Sequence, residues 1–189
     1  TFPEMKKILQ SLSLYNIDML DTATDYDKAD TKLGNLKLSK MKIISKASVI
    51  KDNNIINEKD LDKSIKDTLY NLKIKRLYAF LLRKADLLID NKSIWKNLLK
   101  FKEEGLIKKI GFSIYNPNEL KSIYNLFKPD IIQLPLNIID NRFESSGWLD
   151  ILKRDEVEVH ARSIFLQGVL LEKPNNLPLP FRKYRSFFL

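Results

Sequence analysis

The sequence predicts an α/β fold, an incomplete TIM-type (β/α)8 barrel that forms a single domain over residues 1–189. Three observations lead to this prediction. Short apolar runs bounded by polar residues are typical of buried parallel strands. Segments with helical hydrophobic spacing alternate with these runs, and such alternation favours a parallel sheet with right-handed crossovers. About six strand–helix units of roughly 30 residues each fit the chain, whereas a complete barrel needs roughly 250 residues.

Hydrophobic spacing and helix caps define the elements of the first half. Pro3 suits a first helical turn, and apolar residues recur at helical spacing as far as Leu12. A later helix has Asn57 or Asp60 as its candidate N-cap. The predicted helices span residues 3–14, 29–38 and 60–72, and the predicted strands span residues 17–20, 42–46 and 77–82.

The second half repeats the same alternation. Ser93 is the candidate N-cap of one helix, and Gly105 is suited to end it. Trp95 and Trp148 lie on helix faces among apolar neighbours, so we expect both to be packing residues. The predicted helices span residues 93–105, 116–127 and 146–155, and the predicted strands span residues 108–114, 130–137 and 157–166.

Composition narrows the possible functions. The chain contains no cysteine, which excludes disulfides and thiolate chemistry and fits a reducing compartment. No apolar stretch approaches the roughly 18 residues of a membrane helix, and no secretory signal opens the chain, so we expect a cytoplasmic protein without a membrane partner. The net charge of +9 suggests anionic partners, but acidic residues interleave with the basic ones, as in residues 58–67. We therefore expect a surface that favours phosphate groups rather than a nucleic-acid interface, and we predict no metal site.

Asp21, Tyr26 and Lys46 are the candidate chemical residues of the first half. They follow or end two predicted strands, and the working residues of parallel sheets lie just past the carboxyl ends of the strands. Tyrosine is a poor acid at neutral pH unless a cation stabilises its phenolate; Lys46 can supply that charge and Asp21 can orient Lys46. The three residues thus suit protonation of a carbonyl oxygen. The alternative interpretation is that Tyr26 and Lys46 are ordinary residues at the rim of the sheet.

The stretch DTATDYDKADTKLG (21–34) resembles the signature of the aldo-keto reductase family, in which an Asp-Thr-Ala strand end precedes a tyrosine and a Leu-Gly pair closes the next helix. Further stretches resemble the same family in the same order over nearly the whole chain. They are IISK (43–46), EEGLIKKIGFSIYN (103–116), IIQLPLNIIDNR (131–142) and ARSIFLQGVLL (161–171).

The resemblance implies an oxidoreductase that reduces an aldehyde or ketone by hydride transfer. The family binds NADPH, sometimes NADH, in an extended form without a Rossmann motif, and this sequence contains no G-x-G-x-x-G. We therefore expect NADPH or NADH as cofactor and a small carbonyl compound as substrate. We also expect the first and eighth barrel strands to lie outside this sequence, which makes the chain a truncated member. The oligomeric state stays open.

The resemblance also implies roles for individual residues. Asp21, Tyr26 and Lys46 match three of the four catalytic positions, with Tyr26 as the general acid. Arg162 lies where many members place the aromatic residue that stacks on the nicotinamide, and its planar guanidinium can also stack. Ser113 and Gln133 match the positions that hold the nicotinamide carboxamide, and Ser163, Leu166, Gln167 and Gly168 lie where the family meets the pyrophosphate.

Arg83 stands where the family has its fourth catalytic residue, a histidine. Three consequences are possible. Arg83 stabilises the developing alkoxide, or it holds Tyr26 as a phenolate that cannot donate a proton, or it forms an ion pair with Asp21 in competition with Lys46. His160, the only histidine, is expected to be a packing or rim residue. The alternative function is therefore a relative that has lost reduction and binds only a nucleotide or a partner.

Overall fold

The structure, a computed structural model, describes residues 2–26, 28–36, 38, 40–51 and 54–188. Its centre is a curled half-barrel of six parallel strands, each paired with the strands that come next to it in the barrel order. The strands are β1 (Met19–Asp21), β2 (Lys42–Ser48), β5 (Leu77–Arg83), β6 (Ile107–Ser113), β7 (Ile131–Pro135) and β8 (Glu158–Arg162). A small antiparallel hairpin of β3 (Ile50–Lys51) and β4 (Asn54–Ile55) stands apart from this sheet.

Helices connect the parallel strands, as the alternation of elements predicts. They are α1 (Phe2–Leu14), α2 (Ala29–Gly34), α3 (Glu58–Leu72), α4 (Ser93–Glu103), α5 (Pro117–Phe127), α6 (Arg142–Ser145) and α7 (Trp148–Arg154). Short 3₁₀ segments follow β5 over Ala85–Leu88 and follow β8 over Leu166–Leu171. The prediction of an incomplete (β/α)8 barrel is confirmed. Within the described ranges, β1 and β8 are edge strands, each paired on one side.

The register of the strands depends on one close approach between β6 and β7. Gly111 lies opposite Ile131, and a Cβ atom built on Gly111 would stand 1.7 Å from the backbone oxygen of Ile131. Any side chain at residue 111 would therefore push these strands apart. Leu81 pairs with Gly111, and Lys46 pairs with Leu81, so this contact also sets the level at which Lys46 lies.

The sheet has two apolar layers of unequal size. Alternate side chains point to opposite faces of a strand, and the larger set packs between the sheet and the helices, where Phe80, Phe112 and Phe143 are fully buried. The concave face carries a smaller layer of Ile44, Ala79, Leu81 and Ile131. The outer layer supplies most of the apolar burial, and the inner layer supports the polar side chains above it.

Trp95 and Trp148 are packing residues, as the sequence predicts. Trp95 is buried and stacks on Phe112, with ring centroids 4.8 Å apart. Trp148 meets Tyr124 edge to face at 5.2 Å. Such aromatic pairs add to the area that they bury.

The helix caps confirm two of the predicted helix ends and contradict a third. Asn57 is the N-cap of α3 and forms a capping box with Asp60, so both candidates take part. Gly105, with φ of +76°, follows the end of α4, as predicted. Ser93 is not the N-cap of α4: Lys92 holds that position, and the Ser93 hydroxyl donates instead to Asn91 Oδ1 at 2.8 Å.

Several strand and helix ends differ from the predicted ranges. The strand predicted over 157–166 ends at Arg162, because Ser163 adopts a left-handed φ of +57°. The first strand begins only at Met19 and includes Asp21. The helix predicted over 29–38 ends at Gly34, where a Cβ atom would stand 1.9 Å from the backbone oxygen of Asn71; residues 37 and 39 lie outside the described residues. No helix in the described ranges is both long enough and apolar enough to cross a membrane.

Candidate active site

Lys46 forms the centre of the candidate site at the carboxyl ends of β1 and β2. Its side chain is almost fully buried, and its Nζ donates to Asp21 Oδ2 at 2.6 Å and to the Thr22 carbonyl oxygen at 3.0 Å. Asp21 ends β1 and pairs in register with Ile44, two residues before Lys46. The parallel register of β1 and β2 thus creates this ion pair.

The loop that carries Tyr26 is fastened to β2 by its backbone. The Thr22 and Thr24 amides donate to the Ile44 and Lys46 carbonyl oxygens, each at 2.9 Å. The loop therefore continues the pairing of β1 for several residues beyond the strand and brings Tyr26 back over Lys46. Lys46 Nζ lies 5.6 Å from the centroid of the Tyr26 ring.

Tyr26 is half exposed, at 48%, and its phenol is neutral at physiological pH. Burial, followed by the charge of Asp21, raises the pKa of Tyr26 above its ordinary value, and Asp25 acts in the same direction. Arg83 is the neighbour whose charge lowers this pKa. The net effect of these neighbours disfavours the phenolate, although Lys46 lies close to the ring.

Arg83 ends β5 and joins the site through an aspartate that the sequence analysis did not assign. Its Nη2 donates to Asp25 Oδ2 at 2.6 Å, and its side chain is 19% exposed. The possible ion pair between Arg83 and Asp21 is wrong, since Asp21 pairs with Lys46 and Asp25 pairs with Arg83. Nor does Arg83 hold Tyr26 as a phenolate, because the pKa of Tyr26 is raised.

Asp30 is a second residue that sequence reasoning missed. It is buried at the start of α2 and accepts a hydrogen bond from Thr22 Oγ1 at 2.8 Å; Thr68 of α3 also bonds to it. Burial raises the pKa of Asp30. These bonds fasten both ends of the Tyr26 loop to α3 and β1. The sequence feature that could have indicated this role is an acidic residue in the first turn of the short helix α2.

Ser113 and Gln133 lie side by side on neighbouring strands. They are register partners, both are buried, and the Ser113 hydroxyl donates to Gln133 Oε1 at 3.1 Å. Their strands place them on the same concave face as Lys46. Two polar side chains in this position suit an amide ligand, because each can both donate and accept hydrogen bonds.

Arg162 ends β8 and stacks on an aromatic ring at the rim. Its guanidinium carbon lies 4.0 Å from the centroid of the Tyr115 ring, and its Nη2 donates to the Ile114 carbonyl oxygen at 3.1 Å. Its buried Nε has no hydrogen-bond partner among the described residues. A buried donor without a partner is costly, so this nitrogen fits a site that is completed by a bound acceptor.

The chain turns sharply after Arg162, where the pyrophosphate-binding residues are expected. The Asn137 side chain donates to the Ser163 carbonyl oxygen at 3.1 Å. Left-handed turn conformations of this kind direct backbone N–H groups into anion-binding concavities. Four residues have positive φ, namely Ser163 (+57°), Leu166 (+46°), Gln167 (+54°) and Gly168 (+93°). The Leu166 and Gly168 amides of this turn already donate to the Ser163 and Phe165 carbonyl oxygens, each at 2.9 Å. The unpaired Nε of Arg162 fits a ligand that accepts a hydrogen bond.

A second polar cluster lies lower on the concave face, centred on Glu158. Tyr78 donates to Glu158 Oε2 at 2.7 Å, Lys109 also donates to Oε2, and His160 Nε2 lies 2.5 Å from Oε1. Burial raises the pKa of Glu158, but the hydrogen bonds from Lys109, Tyr78 and His160 outweigh it and lower this pKa to about 2. His160 is thus held by Glu158, and both side chains are partly buried.

The described residues contain no group of three or more acidic, histidine or cysteine side chains placed to hold a metal ion. The candidate site therefore consists of ion pairs, one phenol and the polar rim.

A parallel half-barrel with an aspartate, a tyrosine and a lysine gathered at its carboxyl edge defines a class of protein, and comparison with known families agrees. The model of the aldo/keto reductase family matches residues 1–186, and the chain belongs to that family. The resemblance found in the sequence is confirmed.

Individual relatives are similar over part of their length. The chain is 32% identical over 75 residues to the "Uncharacterized oxidoreductase YqkF" of Bacillus subtilis (strain 168), a match that covers 40% of this chain and 24% of that protein. Among solved structures, the fold is similar to the holo form of the aldo-keto reductase AKR11C1 from Bacillus halodurans, with a TM-score of 0.76, 20% identity, and coverage of 90% of this chain and 60% of that one.

An aldo/keto reductase from Klebsiella pneumoniae in complex with NADP and acetate is similar with a TM-score of 0.66 and 17% identity, over 82% of this chain and 56% of that chain. At these identities the likeness concerns the fold. The chain spans less than two thirds of the length of these relatives.

Proposed function

We propose that this chain carries the core of an NAD(P)(H)-dependent oxidoreductase that reduces an aldehyde or ketone by hydride transfer, with Tyr26 as the general acid. Family membership supports oxidoreduction in general terms. The observation that carries the finer proposal is the buried Lys46, 2.6 Å from Asp21 and 5.6 Å from the Tyr26 ring, at the carboxyl edge of the sheet. A cytoplasmic location and a small carbonyl substrate belong to the same proposal.

In this proposal Tyr26 donates its proton to the carbonyl oxygen of the substrate. The raised pKa keeps the phenol protonated before the reaction. As the proton leaves, negative charge develops on the phenol next to the cations Lys46 and Arg83, which stabilise it more than they stabilise the neutral ring. Asp21 keeps Lys46 in place beneath the ring. Arg83 takes the role of an electrostatic stabiliser for the charge on the substrate oxygen.

The cofactor supplies the hydride, and the residues of β6, β7 and β8 are proposed to hold it. Ser113 and Gln133 are proposed to bind the carboxamide, and Arg162 to stack on the nicotinamide. The neighbouring turn, with Ser163, Leu166, Gln167 and Gly168, is proposed to bind the pyrophosphate. The buried Nε of Arg162 and the left-handed turn support this assignment. A solved relative described in complex with NADP supports the choice of NADPH or NADH.

The test combines binding with turnover. NADPH and NADH are titrated by fluorescence at about 0.15 M salt, which screens loose charge pairing, and NADPH oxidation is followed with a panel of aldehydes and ketones. We expect saturable binding, and turnover that falls by about 10²–10⁴-fold in Tyr26→Phe with unchanged binding. Tyr70→Phe is the matched control, because Tyr70 is 83% exposed on α3. Equal turnover in Tyr26→Phe and the unchanged chain would refute the general-acid role.

A second candidate function is a barrel that binds the nucleotide or a partner without reducing a carbonyl. The observation that favours it is Arg83, a permanent cation at the position where the family has histidine, tied to Asp25. The same titration separates the two candidates: saturable NADPH binding with no turnover on any carbonyl compound supports the second one. Absence of both would reject carbonyl reduction and nucleotide binding for this length of chain.

A further inference from the structure

We propose that Asp25 is a positioning residue, which anchors the Arg83 guanidinium at the rim and so keeps it from competing with Lys46 for Asp21. The inference deepens the proposed function and rests on it for its catalytic meaning. Its structural content, that Asp25 controls where Arg83 lies, can be tested without turnover.

An ion pair fixes one guanidinium nitrogen of Arg83. Arg83 is largely buried at the end of β5, and the ion pair from Nη2 to Asp25 Oδ2 spans 2.6 Å. Its Nε is buried and has no hydrogen-bond partner among the described residues. Asp25 is therefore the carboxylate that fixes the guanidinium. The Asp25 side chain is itself 54% exposed, but its backbone neighbour is fixed, because the Thr24 amide donates to the Lys46 carbonyl oxygen at 2.9 Å, so Asp25 can serve as the anchor.

The site contains two separate ion pairs. Lys46 and Asp21 form one pair between β1 and β2, and Arg83 and Asp25 form the other between β5 and the loop. If Asp25 were neutral, Asp21 would be the remaining carboxylate among the described groups that act on Tyr26. Arg83 would then compete with Lys46 for Asp21, which is the arrangement that the observed structure avoids. An arginine can bind a carboxylate through two parallel hydrogen bonds, so it competes strongly with a lysine for the same carboxylate.

Charges of opposite sign surround Tyr26. The charged and titratable groups that face the phenol come from every element around it, and their effects oppose one another. Asp21 and Asp25 raise the pKa of Tyr26, as does Tyr115, whereas Arg83 lowers it. The described groups that face the phenol are Asp21 of β1, Asp25 of the loop itself, Lys46 of β2, Arg83 of β5 and Tyr115 after β6.

The experiment measures the phenolate of Tyr26 by ultraviolet titration, as the difference between each protein and its own Tyr26→Phe counterpart. The proteins are the unchanged chain, Asp25→Asn and Asp25→Glu, each with Arg83 and with Arg83→His. With Arg83 present, we expect Asp25→Asn to raise the Tyr26 phenolate-to-phenol ratio at a fixed alkaline pH by about threefold to tenfold. Asp25→Glu restores the original ratio, because it keeps the carboxylate.

The Arg83→His background separates positioning from direct charge. Asp25 acts on Tyr26 through its own charge in both backgrounds, but it can hold a guanidinium only where one exists. We expect the effect of Asp25→Asn to be at least halved in the Arg83→His background, a coupling that a double-mutant cycle measures. An equal effect in the two backgrounds would overturn the proposal, as would an unchanged titration in Asp25→Asn.

This readout needs neither cofactor nor substrate, so it is independent of whether the chain reduces carbonyl compounds. Where turnover is measurable, the alkaline limb of the kcat/KM profile moves to lower pH in Asp25→Asn and returns in Asp25→Glu. A merely structural role of Asp25 would change the amount of active protein without moving this limb. A moved titration with no turnover in any variant would keep the positioning role and reject the proposed reduction.

Discussion

The carboxyl edge of the sheet and the interior cluster around Glu158 are built from the same kinds of side chain, yet they differ in how the phenol is used. Each contains a carboxylate, a tyrosine and a lysine. In the Glu158 cluster, the Tyr78 hydroxyl donates a hydrogen bond to Glu158 at 2.7 Å, and Lys109 and His160 bind the same carboxylate. That network is closed, because one acceptor satisfies three donors.

At the carboxyl edge of the sheet, each carboxylate forms an ion pair with a cation, and the Tyr26 phenol is half exposed. Lys46 binds Asp21, Arg83 binds Asp25, and Tyr26 faces Lys46 through its ring. The comparison teaches that residue types alone do not make a reactive site. A tyrosine that is hydrogen-bonded to a partly buried carboxylate is a structural element, whereas one that lies beside paired cations can still give its proton to a ligand.

The largest expected effect follows from exchanging the two lysines for methionine, one at a time. Lys46→Met removes the cation under Tyr26, and we expect kcat/KM for NADPH-dependent reduction to fall by about 10²–10⁴-fold. Lys109→Met lies in the interior cluster and should leave kcat/KM within about threefold. Similar losses in both variants would contradict the distinction between the two regions.

A second prediction sharpens the role of Arg83. Histidine donates a hydrogen bond without adding a permanent charge, so we expect Arg83→His to raise kcat/KM by about tenfold. Steady-state kinetics at neutral pH provide the measurement, with Arg76→His on the surface as control. Equal turnover in the two proteins would show that the arginine does not limit the reaction.

The third prediction concerns the stability of the interior cluster. Glu158→Gln removes the charge that Lys109, Tyr78 and His160 all bind, and we expect the free energy of unfolding in urea to fall by about 2 kcal/mol. Glu172→Gln is the matched control, since Glu172 is exposed. A loss no larger than that of the control would mean that the network contributes nothing net.

The same carboxylate predicts a pH dependence. Its pKa is lowered from 4.5 to about 2 in the folded chain, so its stabilising effect is complete above its ordinary pKa and is lost as the pH falls from about 5 to about 2. We expect unfolding free energies measured across this range to decline less steeply in Glu158→Gln than in the unchanged chain. Parallel curves would argue that other carboxylates dominate acid unfolding.

The smallest effect is expected for an ion pair on the surface. Lys42 lies 2.7 Å from Asp18, and both side chains are about half exposed, at 48% and 56%. Solvent screens such pairs and side-chain entropy opposes them. Lys42→Gln should therefore leave the urea midpoint unchanged within error, and a clear shift would show that Lys42 also supports the nearby Tyr78 ring.

Sequence reasoning succeeded where local chemistry and periodicity decide the outcome. Apolar periodicity identified six strands and their alternation with helices, and the Asn57 and Gly105 signals marked two helix ends correctly. It failed where a neighbour in space decides. Serine is a favoured N-cap residue, yet Lys92 occupies the N-cap position of α4. The Ser93 hydroxyl therefore lies inside the helix and donates to the Asn91 side chain.

The candidate site shows the same division. Asp21, Tyr26 and Lys46 could be predicted as a group, because parallel strands deliver their carboxyl ends to one edge. Asp25 and Asp30 could not be assigned, since their partners Arg83 and Thr68 lie far away in the chain and are brought to them only by folding.

The sequence by itself determined the half-barrel, the edge of the sheet that carries the polar residues, and the family to which the chain belongs. Hydrophobic period and strand-end positions are properties of the chain itself, so they can be recognised before folding. Only the tertiary structure decided which carboxylate each cation binds, and therefore that Tyr26 is a neutral phenol while Tyr78 is held by Glu158. Ion pairing depends on distances of a few ångströms between strands, and these distances are set by register and packing rather than by the order of residues.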